Sequence, residues 1–226
     1  MFYIDTYYIV LIIPTIILSL YAQMKVSSTF NKYSNVINAK GLTGAQVARK
    51  ILDANGLTHV EVKPTRGNLT DNYNPIDKTV NLSESVYNST SVAALGVAAH
   101  ESGHAVQHAT SYGPLSFRTA IFPVVRISST AAIPLAILGF ILGFEPLVDI
   151  GIILFSAVVL FHIVTLPVEF NASKRAIYVL ENYGILTPDE NDGAKKVLSA
   201  AAMTYLASAL AAIANLIRLI LISRED

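Results

Sequence analysis

Residues 98–109, AAHESGHAVQHA, place three of the chain's five histidines and one glutamate inside an otherwise apolar run. His100, Glu101 and His104 stand in the spacing H-E-x-x-H. On an α-helix, residues i and i+4 lie on one face a turn apart, so both imidazoles can converge on a single ion. Glu101, next to the first of them, can then reach a water held by that ion in place of the ion itself. Zinc lowers the pKa of such a water to about 7, and a neighbouring carboxylate takes its proton as the oxygen attacks a polarised peptide carbonyl. The competing reading is a buried helix with satisfied core histidines. Ala93, Ala94, Val97, Ala98 and Ala99 make the preceding turns apolar, and an ionisable glutamate in such a helix needs a compensating partner, which a metal site supplies.

A catalytic zinc needs a third protein ligand and an open position. The chain has no cysteine, so that ligand must be a histidine or a carboxylate. His108 lies eight residues after His100, about 12 Å of helical rise, too far to share the ion unless the helix breaks; it is expected to be structural or to lie beside the cleft. Glu169, in LPVEFNASKRAIYVLENYG, is the stronger candidate. Thr165 and Pro167 mark a helix start or a kink, which puts Glu169 in a first turn between apolar Val168 and Phe170. Its alternative role is a carboxylate at a helix dipole. Glu181 and Glu190 are rivals in more polar surroundings. His162, seven residues before Glu169, is placed to support the site, and Arg126 can snorkel to an interface.

The elements that must position these residues include four stretches long and apolar enough to cross a hydrocarbon core, which takes about 20 helical residues: approximately 7–23, 119–142, 147–166 and 199–222. The first follows MFYIDT, which has no basic n-region, and no small-x-small cleavage site comes after it, so it reads as an uncleaved anchor. The second and third are separated by a short turn at Glu145 and Pro146 and should form a helical hairpin. The last is rich in Ala and Ser, suited to close packing in lipid. Between the spans, GLTGAQVARKILDANGL has an N-cap in Thr43, an apolar face of Val47, Ile51 and Leu52, and a terminating Gly56. VEVKP and KTVNLSE alternate as strands do, and the intervening TRGNLTDNYNPID is dense in turn residues, which predicts a β-hairpin or small sheet. Ser91 opens the histidine-bearing helix.

Composition agrees with a membrane protein: 53% hydrophobic and 14% charged residues, with mean hydropathy +0.50, are unlike an ordinary soluble domain. With 16 basic and 16 acidic residues the net charge is zero, and nothing points to nucleic-acid binding, which relies on a basic surface to displace counterions. Charge placement suggests topology. Lys25, Lys32, Lys40, Arg49, Lys50, Lys63, Arg66, Lys78 and Arg118 lie between the first two spans, and Lys174, Arg175, Lys195 and Lys196 between the last two. The other side shows Asp5, Glu145 and Asp149 against Arg224. By the positive-inside rule the polar segments are cytoplasmic and both termini lie outside.

LYAQMKVSSTFNKYS, GLTGAQVARKILDANGL, TVNLSESVYN, LGVAAHESGHAVQHA and LPVEFNASKRA, in that order, resemble the YugP family of neutral zinc metallopeptidases, membrane proteins of bacteria, over almost the whole chain. The resemblance implies a membrane-anchored zinc endopeptidase with His100 and His104 as ligands and Glu101 as base. The arrangement is also similar to gluzincins such as the HtpX-type and CAAX-prenyl membrane proteases, which implies that Glu169 completes the site. Those enzymes often have an Asp four residues after the ligand glutamate, where it orients a histidine; Ser173 stands there in this sequence, with Asn171 nearby, so the orienting group should differ. Gluzincins also bind extended peptides along a strand before the metal helix, and KTVNLSE is placed to offer that edge.

The expected molecule is mainly α: a polytopic helical membrane protein of about four spans with a small α+β zincin-like peptidase domain. Residues 1–23 form the anchor, 24–118 the peptidase domain with the H-E-x-x-H helix, 119–166 the transmembrane hairpin, 167–198 the helix with the third ligand and a connecting segment, and 199–226 the last span. One zinc ion per chain is held by His100, His104 and Glu169. The partners are the bilayer and a peptide or protein substrate, itself membrane-associated, at the cell membrane. Two other classes compete. A scaffold with a structural or silent zinc site would more often show a fourth ligand, and an intramembrane site-2-type protease would need the metal helix within a lipid span.

Overall fold

A computed structural model describes residues 5–224; the first four residues of the expected anchor and the last two of the expected C-terminal segment lie outside it. The chain is mainly helical, a polytopic helical membrane protein with a small α+β part. In order, it has a π-helical turn Tyr8–Ile12, α1 (Ile13–Ser34), α2 (Gly44–Ala54), β1 (Glu61–Thr65), β2 (Asn72–Asn74), β3 (Thr79–Ser83), α3 (Glu84–Tyr87), α4 (Val92–Ala109), α5 (Gly113–Leu142), α6 (Glu145–Asn182) and α7 (Pro188–Ile222). Among the described residues, four helices are long and apolar enough to cross a membrane: Tyr8–Ser34, Gly113–Leu142, Glu145–Asn182 and Pro188–Ile222. The helix carrying H-E-x-x-H is not among them, whereas Glu169 lies on Glu145–Asn182, which is.

Two compact units are formed. One comprises residues up to Gln23, Ser116–Pro167 and Met203 onward; the other comprises Met24–Leu115 and Val168–Ala202. In the first unit, the apolar cluster Val125, Ala132, Phe155, Val158, Val159 and Ala212 joins α5, α6 and α7. Small residues let backbones approach there, as packing in lipid requires: a Cβ on Gly151 would lie 2.8 Å from the Ala132 carbonyl oxygen. Ile127, Ile141 and Ile153 are 68%, 75% and 69% exposed, an outward apolar surface that suits hydrocarbon and not water. Arg218 of α7 pairs with Asp5.

The second unit holds His100, Glu101, His104 and Glu169. Thr43 caps α2 in a reciprocal capping box with Gln46, satisfying two helix-end donors at once, and Gly56 takes φ +71° just past its end. Val47, Ile51 and Leu52 are buried against α4, as their spacing predicts. Ser91 caps α4 by accepting from the Ala94 N–H. Ala93, Ala94 and Ala98 then pack under the sheet with Val80, Leu82 and Val86, while Leu95 and Ala99 pack with Ala176, Leu180 and Leu198.

The expected small sheet is present, but three local details differ from expectation. The strands form a mixed three-stranded sheet of order β1-β3-β2, with β1 parallel and β2 antiparallel to β3. Asn72–Asn74, inside the turn-dense stretch, is therefore a strand. The sheet also makes β3 central, with Val80 paired to Val62 on one side and Tyr73 on the other, so its ladder groups are already taken and it offers no edge to a peptide. β1 and β2 are the edges, and Pro64 sits on β1, where a missing N–H is tolerated. Finally, no helix begins at Pro167. α6 runs through it, so Glu169 lies in mid-helix and helix-dipole stabilisation at an N-terminus does not apply to it. Likewise α1 continues past residue 23 to Ser34.

Candidate metal centre

α4 presents His100 and His104 one turn apart, with ring centroids 4.7 Å from each other in an edge-on arrangement. α6 brings Glu169, distant by 69 residues in sequence, onto the same point. Its Oε2 lies 3.3 Å from His100 Nε2 and 3.4 Å from His104 Nε2. One donor atom from each residue falls within 4.8 Å of the others, and among the described residues these three form the group able to hold a metal. All three side chains are at least 88% shielded from solvent.

Close approach of α4 and α6 makes this convergence possible. Gly103, between the two histidines, faces Ala172; a Cβ there would lie 3.0 Å from the Ala172 carbonyl oxygen. Ala99 and Ala176 join the same apolar cluster. Small residues on both helices thus set a separation at which a glutamate can reach two imidazoles.

The imidazoles are held by their far nitrogens. Gln107, fully buried one turn after His104, places its Oε1 3.0 Å from His104 Nδ1. Its Nε2 donates to the Val168 carbonyl at 2.8 Å and to Asn171 Oδ1 at 3.0 Å, and Arg175 Nε donates to the same Oδ1 at 2.8 Å. A carbonyl and an oxygen already facing a guanidinium can only accept, so the amide orientation of Gln107 follows. Its Oε1 is left as an acceptor, which puts a proton on His104 Nδ1 and a lone pair on Nε2. His100 Nδ1 is 3.1 Å from Ser173 Oγ. Ser173, expected from the sequence to alter the orienting group, thus contacts one of the two candidate ligand histidines through its hydroxyl. Gln107 was not foreseen; its signal was an amide at i+3 from His104 in an otherwise apolar helix.

This donor set fits a cation. A lone pair on His104 Nε2 facing a carboxylate oxygen at 3.4 Å is repulsive unless positive charge lies between them. The protonation behaviour expresses the same demand. Burial opposes a charge on His104, but its hydrogen bond to Glu169 and the fields of Glu101 and Glu169 outweigh that and raise its pKa. The set of two imidazoles and one carboxylate is one that zinc accepts, with room for a fourth, non-protein ligand. Burial pushes the Glu101 carboxyl above the ordinary range, with the histidines pulling partly the other way and Glu169 and Asp71 adding to the rise. Glu101 is 9% exposed.

The remaining candidates are elsewhere. His108 is exposed, with Nδ1 2.8 Å from the Tyr73 hydroxyl. Glu181 accepts from Asn191, and Glu190 accepts from the backbone N–H groups of Ala39 and Thr187; both carboxylates serve loop and cap geometry. In the other unit, His162 packs edge-on against Phe161 at 6.1 Å and Arg126 is exposed on α5.

No solved structure matches the chain. A curated relative, "Putative membrane protease YugP" of Bacillus subtilis (strain 168), is 51% identical over 215 residues, covering 95% of this chain and 96% of the relative. The model of the family described as "Putative neutral zinc metallopeptidase" matches residues 8–224, which include the four membrane-length helices found among the described residues and the candidate metal centre, and the chain belongs to that family.

Proposed function

We propose that the protein is a membrane-bound zinc-dependent endopeptidase that hydrolyses peptide bonds in membrane-associated proteins, in quality control or processing, with one zinc ion per chain and its catalytic unit on the cytoplasmic side of the cell membrane. The observation that carries the reading is the meeting of two imidazole Nε2 atoms on one Glu169 carboxylate oxygen beside a buried Glu101.

His100, His104 and Glu169 would hold the ion. When bound, zinc supplies Lewis-acid polarisation of the scissile carbonyl and acidifies water. Ser173 and Gln107 fix the two rings at Nδ1, so that both Nε2 atoms stay turned to the ligand position. Glu101 takes the proton of the attacking water and delivers it to the leaving amine nitrogen. A carboxyl pushed upward by burial is suited to both steps, because a general acid–base group works best when its pKa approaches the working pH.

The test is made on full-length protein in detergent, by measuring zinc stoichiometry and cleavage of an unstructured protein for wild type, Glu101→Gln and Glu169→Ala. Glu101→Gln should keep zinc and lose about 10²–10⁴-fold in rate. Glu169→Ala should lose metal. Undiminished cleavage by Glu101→Gln would sink the mechanism, and normal zinc content in Glu169→Ala would remove Glu169 from the site. Zinc retained by a wild type that cleaves nothing would favour the scaffold reading.

A further inference from the structure

α4 has a second occupied face. Ala99, Gly103 and Val106 are offset by one position from His100, His104 and Gln107, and they line a groove of about 370 Å³ walled by α2, α4 and the later part of α6. Ile51, Ala99, Val106 and Val179 make its apolar floor, while Lys174, Arg175, Tyr178 and Tyr183 stand around it. Neither the three metal-competent residues nor Glu101 belongs to its lining. The rim is open to the surroundings: Tyr178 is 63% and Tyr183 48% exposed.

The groove has a pronounced chemical polarity. Two cationic side chains enter its lining and no carboxylate does. Among the described residues neither Lys174 nor Arg175 is in an ion pair, and Arg175 uses its Nε on Asn171. Two phenols add hydrogen-bond donors at the rim. A single occupant that satisfies all of this carries an anionic, oxygen-rich head and an apolar tail. The volume lies within the range of about 300–1,000 Å³ typical of small-molecule sites, enough for a headgroup with the first part of a chain.

We propose that this groove binds an anionic bilayer lipid, with its phosphate between Lys174 and Arg175 and the start of an acyl chain over Ile51, Ala99, Val106 and Val179. Two facts favour lipid over another anionic amphiphile. The chain has four helices of membrane length and composition, so a bilayer supplies this ligand at high local concentration. Both cations also lie on α6 two turns after Pro167, the last residue that this helix contributes to the apolar unit. Basic groups that follow the apolar stretch of a membrane-length helix are where anionic headgroups are recognised, each cation being worth about fivefold in affinity. The inference concerns occupancy of the groove and does not rest on peptidase activity.

Native mass spectrometry of the full-length protein in a neutral detergent tests it, with phosphatidylglycerol and phosphatidylcholine of equal chain length supplied in equal amounts. Wild type should retain one phosphatidylglycerol in preference to phosphatidylcholine. Lys174→Gln, an exposed change, should lower that preference about fivefold. Lys50→Gln, on α2 outside the lining, should leave it unchanged. Equal retention of the two lipids, or an equal effect of Lys50→Gln, would overturn the proposal by reducing it to general surface charge. Displacement of the lipid by millimolar inorganic phosphate would overturn the role of the apolar floor and identify a free-phosphate site. Preferential retention of an apolar peptide with a free C-terminal carboxylate over phosphatidylglycerol would overturn the choice of occupant.

Discussion

Gln107 keeps the proton of His104 on Nδ1 because its own amide is pinned by Val168 and Asn171. Groups that orient metal-bound imidazoles typically change metal affinity by about 10–100-fold when removed. Gln107→Leu should therefore weaken zinc binding by about that factor, read by competition with a chromogenic chelator, while the helical content stays intact. Unchanged affinity would mean that packing alone orients the ring. A second residue-scale expectation concerns Asp71, which accepts from Ser83 N–H and Oγ at 2.7 and 2.9 Å. Burial nonetheless raises its pKa above 3.8. A folded state that binds this proton more tightly than the unfolded chain gains stability below the unfolded pKa, and loses it as pH rises through the higher folded value. Asn at this position keeps an acceptor for the Ser83 N–H without the charge. Thermal unfolding in detergent should show Asp71→Asn gaining on wild type as pH rises from the acid range to neutrality; a constant difference would mean that the buried charge has no net cost.

Among the elements, α4 and α6 form the pair whose spacing decides whether a metal centre exists. Gly103→Ala would put a methyl 3.0 Å from the Ala172 carbonyl oxygen, and two helix backbones would have to separate by a few tenths of an ångström. Overpacking of this kind costs about 1–3 kcal/mol. Because Glu169 precedes Ala172 by one turn on α6, the shift should also reduce zinc affinity, so both the unfolding temperature and chelator competition should fall together. A loss in stability with no change in metal affinity would show that Glu169 follows the histidines by adjusting its side chain. The start of α4 could be read at Ser91, and α2 at Thr43 and Gly56, because caps are local chemistry. β2 could not be read in this way. Asn72 and Asn74 are poor strand formers on either side of a single Tyr73, and the three are extended because β3 offers them a ladder. Pro167 misled for the same reason in reverse: a proline normally ends a helix, but in a membrane helix its freed carbonyl can be accommodated by neighbours, and α6 continues.

For the whole molecule, charge asymmetry makes a topological prediction. The chain has no cysteine, so single replacements give unique labels. In intact cells a membrane-impermeant maleimide should label Glu145→Cys and Arg224→Cys, and should label Lys40→Cys only after permeabilisation. The opposite pattern would put the unit with the candidate metal centre on the external face. That unit gathers two polar segments separated by the apolar hairpin. The sequence by itself determined the four spans, the caps and the two histidines with their glutamate, because each depends on composition or on spacing within a few helical turns. It also singled out Glu169, but only against Glu181 and Glu190. Tertiary structure alone decided that Glu169 meets the imidazoles while the other two hold a loop and a helix end, that Gln107 and Ser173 hold the rings, and that β3 is covered on both sides. Those outcomes depend on the distance between helix backbones and on strand order, which arise when residues far apart in the chain pack, and no local pattern encodes them.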